Sequence, residues 1–225
     1  MRPVRAIIFD LDGTLVDTLD DIADSMNEAL RRLGLPSHPR ASYRSFVGDG
    51  AQLLAWRALP ANYRTERKAE ETYAEYLRCY ERRWNLKSRP YPGVAELLDG
   101  CVERGMALAV LSNKVDHFTN KVVRKLLPKW PWAAVCGQHA GVARKPAPDG
   151  ALAIAAQLGV PTANFVFLGD SGIDITCARA AGMTSVGALW GFRSRIELEE
   201  AGAQHLATYP ADVLRLLEKG RRAIE

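Results

Sequence analysis

Apolar and polar positions along the chain follow two periods. Short continuous apolar runs, Ala6-Ile7-Ile8-Phe9, Met106-Ala107-Leu108-Ala109-Val110-Leu111 and Phe165-Val166-Phe167-Leu168, read as buried strands, with shorter ones expected near 133–136 and over 184–188. Between them, residues 94–104, 116–127, 149–158 and 174–181 show helical spacing, and Gly105 closes the first of these helices. Strands alternating with helices predict an α/β fold, a doubly wound parallel sheet with helices on both faces and a Rossmann-like core. In such sheets ligands bind outside the carboxyl ends of the strands.

One region breaks this alternation. Over 17–33, Ile22, Met26, Ala29, Leu30 and Leu33 fall on one helical face before Gly34 and Pro36 stop the helix. Residues 40–84 carry helical pattern and no convincing strand, and over 63–84 Tyr73, Tyr76, Leu77 and Tyr80 line one face, as packing between helices requires. The prolines of Arg89-Pro90-Tyr91-Pro92-Gly93 then punctuate the chain. The expected organisation is therefore a core of residues 1–16 and 90–225 with an inserted alpha-helical cap domain over 17–89. Inside the insertion, Phe46-Val47-Gly48-Asp49-Gly50 is a glycine-bearing turn, either a plain connection or a loop able to close over a substrate.

Composition changes this picture little. The 225 residues are 48% hydrophobic and 25% charged, ordinary for a globular protein large enough to bury a substantial core. A net charge of +4, from 30 basic and 26 acidic residues spread along the chain, is too small and dispersed to argue for a nucleic-acid partner. Cys79, Cys101, Cys136 and Cys177 lie far apart without a ligand pattern, as do the four histidines, so reduced thiols and no His-based metal site are expected. No secretory leader and no bilayer-spanning run is legible, which makes the cytoplasm the expected location.

The chemistry concentrates at the strand ends. In extended backbone Asp10 and Asp12 point the same way, and two converging carboxylates repel unless a cation compensates them. Magnesium suits such oxygen ligands, with Gly13 supplying a sharp turn and Thr14 a hydroxyl; an Asx-rich turn that merely closes the strand is the other reading. Three more clusters fall after strands or in loops of the same face: Ser112-Asn113, Arg144-Lys145-Pro146, and Gly169-Asp170-Ser171-Gly172-Ile173-Asp174. Each residue alone has a bland role as a helix cap or a solvated loop group. Together, carboxylates that hold a cation and a hydroxyl and ammonium that hold phosphoryl oxygens meet what phosphoryl transfer demands.

Asp10-Leu11-Asp12-Gly13-Thr14-Leu15, Leu111-Ser112-Asn113-Lys114, Lys145-Pro146-Ala147-Pro148 and Gly169-Asp170-Ser171 through Asp174 resemble, in order and spacing, the four motifs of the haloacid dehalogenase-like hydrolase superfamily. The helical insertion resembles the cap of its phosphoglycolate phosphatase-like branch. The resemblance implies that Asp10 is the nucleophile forming an aspartyl phosphate and that Asp12 is the general acid and base. It implies that Ser112, with Thr14 and Asn113, contacts the phosphoryl group and that Lys145 ties nucleophile to phosphate. Asp170, with Asp10 and the Asp12 carbonyl, would ligate magnesium, while Asp174 would support the metal or orient Lys145.

Within the superfamily, Asp12 provides the acid that an oxygen leaving group needs and a dehalogenase does not. The related sugar phosphomutases carry a histidine where Asp17-Thr18-Leu19-Asp20-Asp21 is followed by Ile22, and the phosphonate-cleaving relatives need a cap lysine, yet no lysine precedes Arg67. Gly48-Asp49-Gly50 and Trp190-Gly191-Phe192 resemble phosphoglycolate phosphatases. The expected function is magnesium-dependent hydrolysis of a small phosphorylated metabolite, 2-phosphoglycolate first, by a monomer or homodimer without nucleic-acid or membrane partners. A sugar phosphomutase, a pyrophosphatase and a non-catalytic phosphate-binding protein are the alternatives.

Overall fold

A computed structural model describes residues 3–222. Strand β1 (Ala6–Phe9) is followed by a two-residue strand β2 (Val16–Asp17) and helices α1 (Leu19–Arg32), α2 (Tyr43–Phe46), α3 (Ala51–Ala58) and α4 (Glu66–Glu81). The chain returns through β3 (Arg89–Pro90), α5 (Val94–Glu103), β4 (Ala107–Val115), α6 (Asp116–Leu126), β5 (Trp132–Gln138) and α7 (Asp149–Leu158). It ends with β6 (Phe165–Gly169), α8 (Gly172–Ala180), β7 (Thr184–Ala188), α9 (Arg195–Glu200), β8 (His205–Ala207) and α10 (Pro210–Arg222).

Six strands form one parallel sheet in the order β5-β4-β1-β6-β7-β8. All four residues of β1 are buried, because a central parallel strand has helices on both faces and needs apolar side chains in both directions. Its residues alternate between two cores. Ile7 and Phe9 pack with Leu108, Val110, Val166 and Leu168 beneath Val94, Leu97, Val122 and Val213, whereas Ala6 and Ile8 pack with Ala109, Phe165 and Phe167 against Ile154 and Ala178. The α/β, doubly wound arrangement expected from the periodicity is thus the observed one.

Helices α1 to α4 enclose a third apolar cluster. Leu19, Ile22, Met26 and Leu30 of α1 meet Leu54 and Ala58 of α3 and Tyr76, Cys79 and Tyr80 of α4, and Phe118 and Phe192 join from the sheet side. The outgoing and returning segments run antiparallel as β2 and β3, with Val16 opposite Pro90 and Asp17 opposite Arg89. Buried Asp21 of α1 reinforces this neck by accepting from the Ser88 N–H at 2.8 Å and hydroxyl at 2.7 Å and from the Lys87 N–H at 3.0 Å. A buried carboxylate is tolerable only with such a set of donors.

Several elements differ from expectation. Helix α4 begins at Glu66 because the Thr65 hydroxyl accepts the Lys68 N–H and caps it there. Strand β4 continues through Ser112, Asn113 and Lys114 to Val115, and α8 starts at Gly172, before Asp174. The pattern assigned nothing to α9, β8 and α10. Strand β8 is an edge strand of three residues paired only with β7, too short for a periodic signal. All four cysteines are free, and burial pushes the Cys101 thiol up to about 12. Among the described residues no helix is long and apolar enough to cross a membrane.

Candidate active site

Strand β1 lies between β4 and β6, the point where the strand order reverses and a crevice opens at the carboxyl ends. Asp10, the first residue past β1, is anchored by its N–H to the Leu168 carbonyl at 2.9 Å. The chain then turns tightly, with the Leu15 and Val16 N–H groups on the Leu11 carbonyl at 3.1 and 3.0 Å. Gly13 adopts φ +96, and a Cβ there would collide with the Asp170 carboxylate; one at Gly191 would collide with Asp170 as well. Two glycines therefore make the slot that holds Asp170.

The chemistry of the site centres on the Lys145 ammonium, which is buried and spends all three donors. It reaches Asp10 Oδ1 at 2.6 Å, Asp174 Oδ1 at 2.7 Å and the Leu111 carbonyl at 2.8 Å. The other Asp174 oxygen accepts from the Ser171 N–H at 3.1 Å, one half of a capping box at the start of α8, and from the Ser171 hydroxyl at 2.5 Å. Asp170 accepts from the Thr14 hydroxyl at 3.3 Å and the Phe192 N–H at 2.7 Å. Asp10, Asp170 and Asp174 are all buried and bring ligand oxygens within 4.8 Å of one another.

Ionised together, three carboxylates against one ammonium would leave two negative charges uncompensated. Burial, opposed by Lys145 and aided by Asp174, pushes the Asp10 carboxyl up to about 7. Burial, then Asp10 and Asp174, drive Asp170 well above the ordinary carboxylate range. For Lys145 burial works against the charge, but Asp10 and Asp174 outweigh it and hold the group above the usual lysine value. A hard divalent cation fits this donor set, since it supplies the missing charge and prefers oxygen ligands. Asp10 and Asp170 retain lone pairs for it, whereas Asp174 already accepts three hydrogen bonds.

Two expectations need correction. The carboxylates of Asp10 and Asp12 do not share a cation-binding cluster. The turn after Leu11 aims Asp12 away, where both its oxygens accept from Lys114 Nζ at 3.0 Å and one accepts from the Thr18 hydroxyl at 2.7 Å. The Asp12 side chain thus stands outside the acidic cluster but still lines the same cavity. Thr14 is fully buried with its hydroxyl committed to Asp170, so it positions that carboxylate and does not line the cavity.

Ser112 and Asn113 do line the cavity. The Ser112 oxygen accepts the Lys114 N–H at 3.2 Å, which keeps its proton for another acceptor. Asn113 is a brace: its amide donates to the Lys145 carbonyl at 2.9 Å and the Gly48 carbonyl at 3.1 Å, and its oxygen accepts the Lys145 N–H at 2.9 Å. No sequence pattern assigned a role to Arg144, which donates to the Asp49 carbonyl at 3.1 Å, or to Arg193, which donates to the carbonyls of Arg44 and, at 2.6 Å, Val47. These contacts seat the 46–50 turn over the site. The Trp190-Gly191-Phe192 stretch was the available signal for them, since it also supplies the Phe192 N–H on Asp170 and a Trp190 indole bond to the Thr14 carbonyl at 2.9 Å.

Comparison with known proteins agrees with this geometry. The profile of haloacid dehalogenase-like hydrolases matches residues 7–188. The phosphoglycolate phosphatase of Mesorhizobium japonicum is 33% identical over 224 residues, covering 99% of this chain and 98% of that protein. That of Xanthomonas campestris pv. campestris is 34% identical over 200 residues, 86% of each. A crystal structure from Haemophilus somnus, described as a predicted phosphoglycolate phosphatase, superposes with a TM-score of 0.88 at 28% identity over 96% of this chain and 99% of that one. With the motif carboxylates gathered at the switch point of the sheet, the chain belongs to the haloacid dehalogenase-like hydrolases.

Proposed function

We propose that the protein hydrolyses a small phosphomonoester, 2-phosphoglycolate, through an aspartyl phosphate on Asp10, with magnesium as its cation. The observation that carries this reading is the Lys145 ammonium clamped between Asp10 at 2.6 Å and Asp174 at 2.7 Å inside a buried acidic cluster. Such a cluster needs both a divalent cation and a substrate that tolerates concentrated positive charge. Asp10 and Asp170, with the Asp12 carbonyl, would hold the cation, which when bound neutralises phosphoryl oxygens and lowers their repulsion of the attacking carboxylate. Asp174 orients Lys145, which fixes the plane of Asp10.

In the first step an Asp10 carboxylate oxygen bonds to phosphorus, the bond from phosphorus to the ester oxygen breaks, and Asp12 gives its proton to the departing alkoxide. The Ser112 hydroxyl donates to a phosphoryl oxygen, and Lys145 balances the charge on the carboxylate. In the second step water attacks phosphorus while Asp12 takes its proton, and Asp10 leaves as a free carboxylate with release of phosphate. The buried, fully used hydrogen bonds of Lys145 and Asp174 keep these groups in place without reorganisation. Four free cysteines suit a reducing compartment, and we place the enzyme in the cytoplasm.

Phosphate release from a panel of small phosphomonoesters with magnesium present tests this reading. Wild type should release phosphate from 2-phosphoglycolate, Asp10→Asn should not while melting at the wild-type temperature, and excess chelator should stop the reaction until magnesium is restored. Appreciable turnover by Asp10→Asn, or full activity in chelator, sinks the mechanism.

A further inference from the structure

The cavity over Asp10 has two unlike walls. Ile22, Val47, Leu54 and Phe192, with Tyr76, form a largely apolar wall, and the facing wall is polar and, among the described residues, includes three cations, Lys114, Lys145 and Arg193. One of them, Lys145, is fully committed, and Arg193 spends three of its five N–H donors away from Asp12. Lys145 has no donor left after Asp10, Asp174 and the Leu111 carbonyl. Arg193 donates to the Arg44 and Val47 carbonyls and sits 3.4 Å from Glu197.

Lys114 is different. Its side chain is 7% exposed, and its ammonium holds the two Asp12 oxygens at 3.0 Å and rests 4.7 Å from the centroid of the Tyr80 ring. An ammonium has three donors, and an aromatic face attracts its charge without accepting a full hydrogen bond. One donor therefore stays available beside Asp12.

We infer that Lys114 selects the leaving group, by binding a carboxylate one carbon away from the ester oxygen, so that the substrates are phosphate esters of short 2-hydroxy acids. The inference rests on the phosphatase reading above, in which Asp12 hydrogen-bonds the departing oxygen. That oxygen then lies within about 6 Å of the ammonium, two hydrogen bonds end to end. A carboxylate on the adjacent carbon spans the gap, and Lys114 bridges it to Asp12 as a point charge. A sugar would set several hydroxyls against Ile22, Val47, Leu54 and Phe192, with only Tyr76 among the described residues of that wall able to meet them, and unpaired polar groups are what such a wall rejects.

The test is phosphate release from 2-phosphoglycolate and from ethyl phosphate, the same ester without its carboxylate, by wild type, Lys114→Met, Lys114→Arg and Asp10→Asn, with melting temperatures measured alongside. Wild type should prefer the carboxylate ester in kcat/KM. Lys114→Met should cut that preference at least about tenfold, chiefly through the KM for 2-phosphoglycolate, and Lys114→Arg should regain part of it. Equal losses on both esters in a folded Lys114→Met would overturn the inference, because Lys114 would then act only through Asp12. So would a wild type with no preference. If Lys114→Met does not fold, the KM for 2-phosphoglycolate in Lys114→Arg decides: no change relative to ethyl phosphate overturns the assignment. Absence of phosphate release from either ester, or an Asp10→Asn as active as wild type, instead marks the failure of the phosphatase reading, and the inference falls with it.

Discussion

The sheet side and the helical side of the cavity are built on opposite principles. On the sheet side, full charges are buried and held by several partners each, as with Lys145 on Asp10, Asp174 and the Leu111 carbonyl. On the helical side the wall is apolar, and its polar link to the core runs mostly through main-chain carbonyls of Arg44, Val47, Gly48 and Asp49, which accept from Arg193, Asn113 and Arg144. A main-chain carbonyl is present whatever the side chain, so Phe46, Val47 and Asp49 can change and the turn still be seated, whereas Gly48 and Gly50, at φ +120 and +93, favour glycine. The charged network has no such freedom, because losing any member strands the rest without compensation. Chemistry, and with it the leaving-group contact of Lys114 on β4, is thus fixed on one side, and the shape of the facing wall is left adjustable on the other.

The sharpest way to break this contrast is Lys145→Met. It should reduce turnover on the order of 10³-fold or more and cost about 3–5 kcal/mol of stability by leaving buried carboxylates unpaired. Phosphate release and urea unfolding without added metal measure both. Gly13→Ala comes next. The positive φ and the collision with Asp170 should cost about 1–2 kcal/mol in the same unfolding assay and, by displacing a carboxylate, roughly 10²-fold in kcat/KM.

On the helical side the effects should be smaller. Arg193→Ala removes donors to the Arg44 and Val47 carbonyls and should raise KM roughly fivefold, about 1 kcal/mol, with little change in melting temperature. Tyr80→Phe should be the mildest. Among the described residues the Tyr80 hydroxyl is the one buried side-chain polar atom without a partner, so its removal should leave melting unchanged or raise stability by up to about 1 kcal/mol. A destabilised Tyr80→Phe would mean that the hydroxyl has a partner after all.

The positions of the carboxylates were legible because parallel strands bury apolar runs and expose the residues just past their carboxyl ends: Asp10 after Phe9 and Asp170 after Gly169 mark two strand ends in the sequence itself. Their pairing was not. Alternation in extended backbone put Asp12 with Asp10, but the turn past Leu11 breaks extension, and the partner that takes Asp12, Lys114, is 102 residues away. The roles of Arg144 and Arg193 escaped for the same reason, since an arginine that braces a distant carbonyl looks in sequence like any solvated one. The end of the chain was silent because an edge strand such as β8 has one neighbour and needs few apolar residues. The helical insertion stood out early, since 17–89 shows no strand pattern in sequence and the two-residue β2 and β3 at its ends are too short to give one, but Thr65 and not the aromatic stripe decides where α4 begins.

Asn113 carries a mechanical consequence. One amide group clasps the lysine loop through both the N–H and the carbonyl of Lys145 and, with its remaining donor, grips the Gly48 carbonyl of the turn above. Raising that turn and loosening the backbone of the lysine therefore pull on the same side chain. The lid and the charge at the centre of the site share one rivet, and a lid that is not seated leaves that rivet one hydrogen bond short.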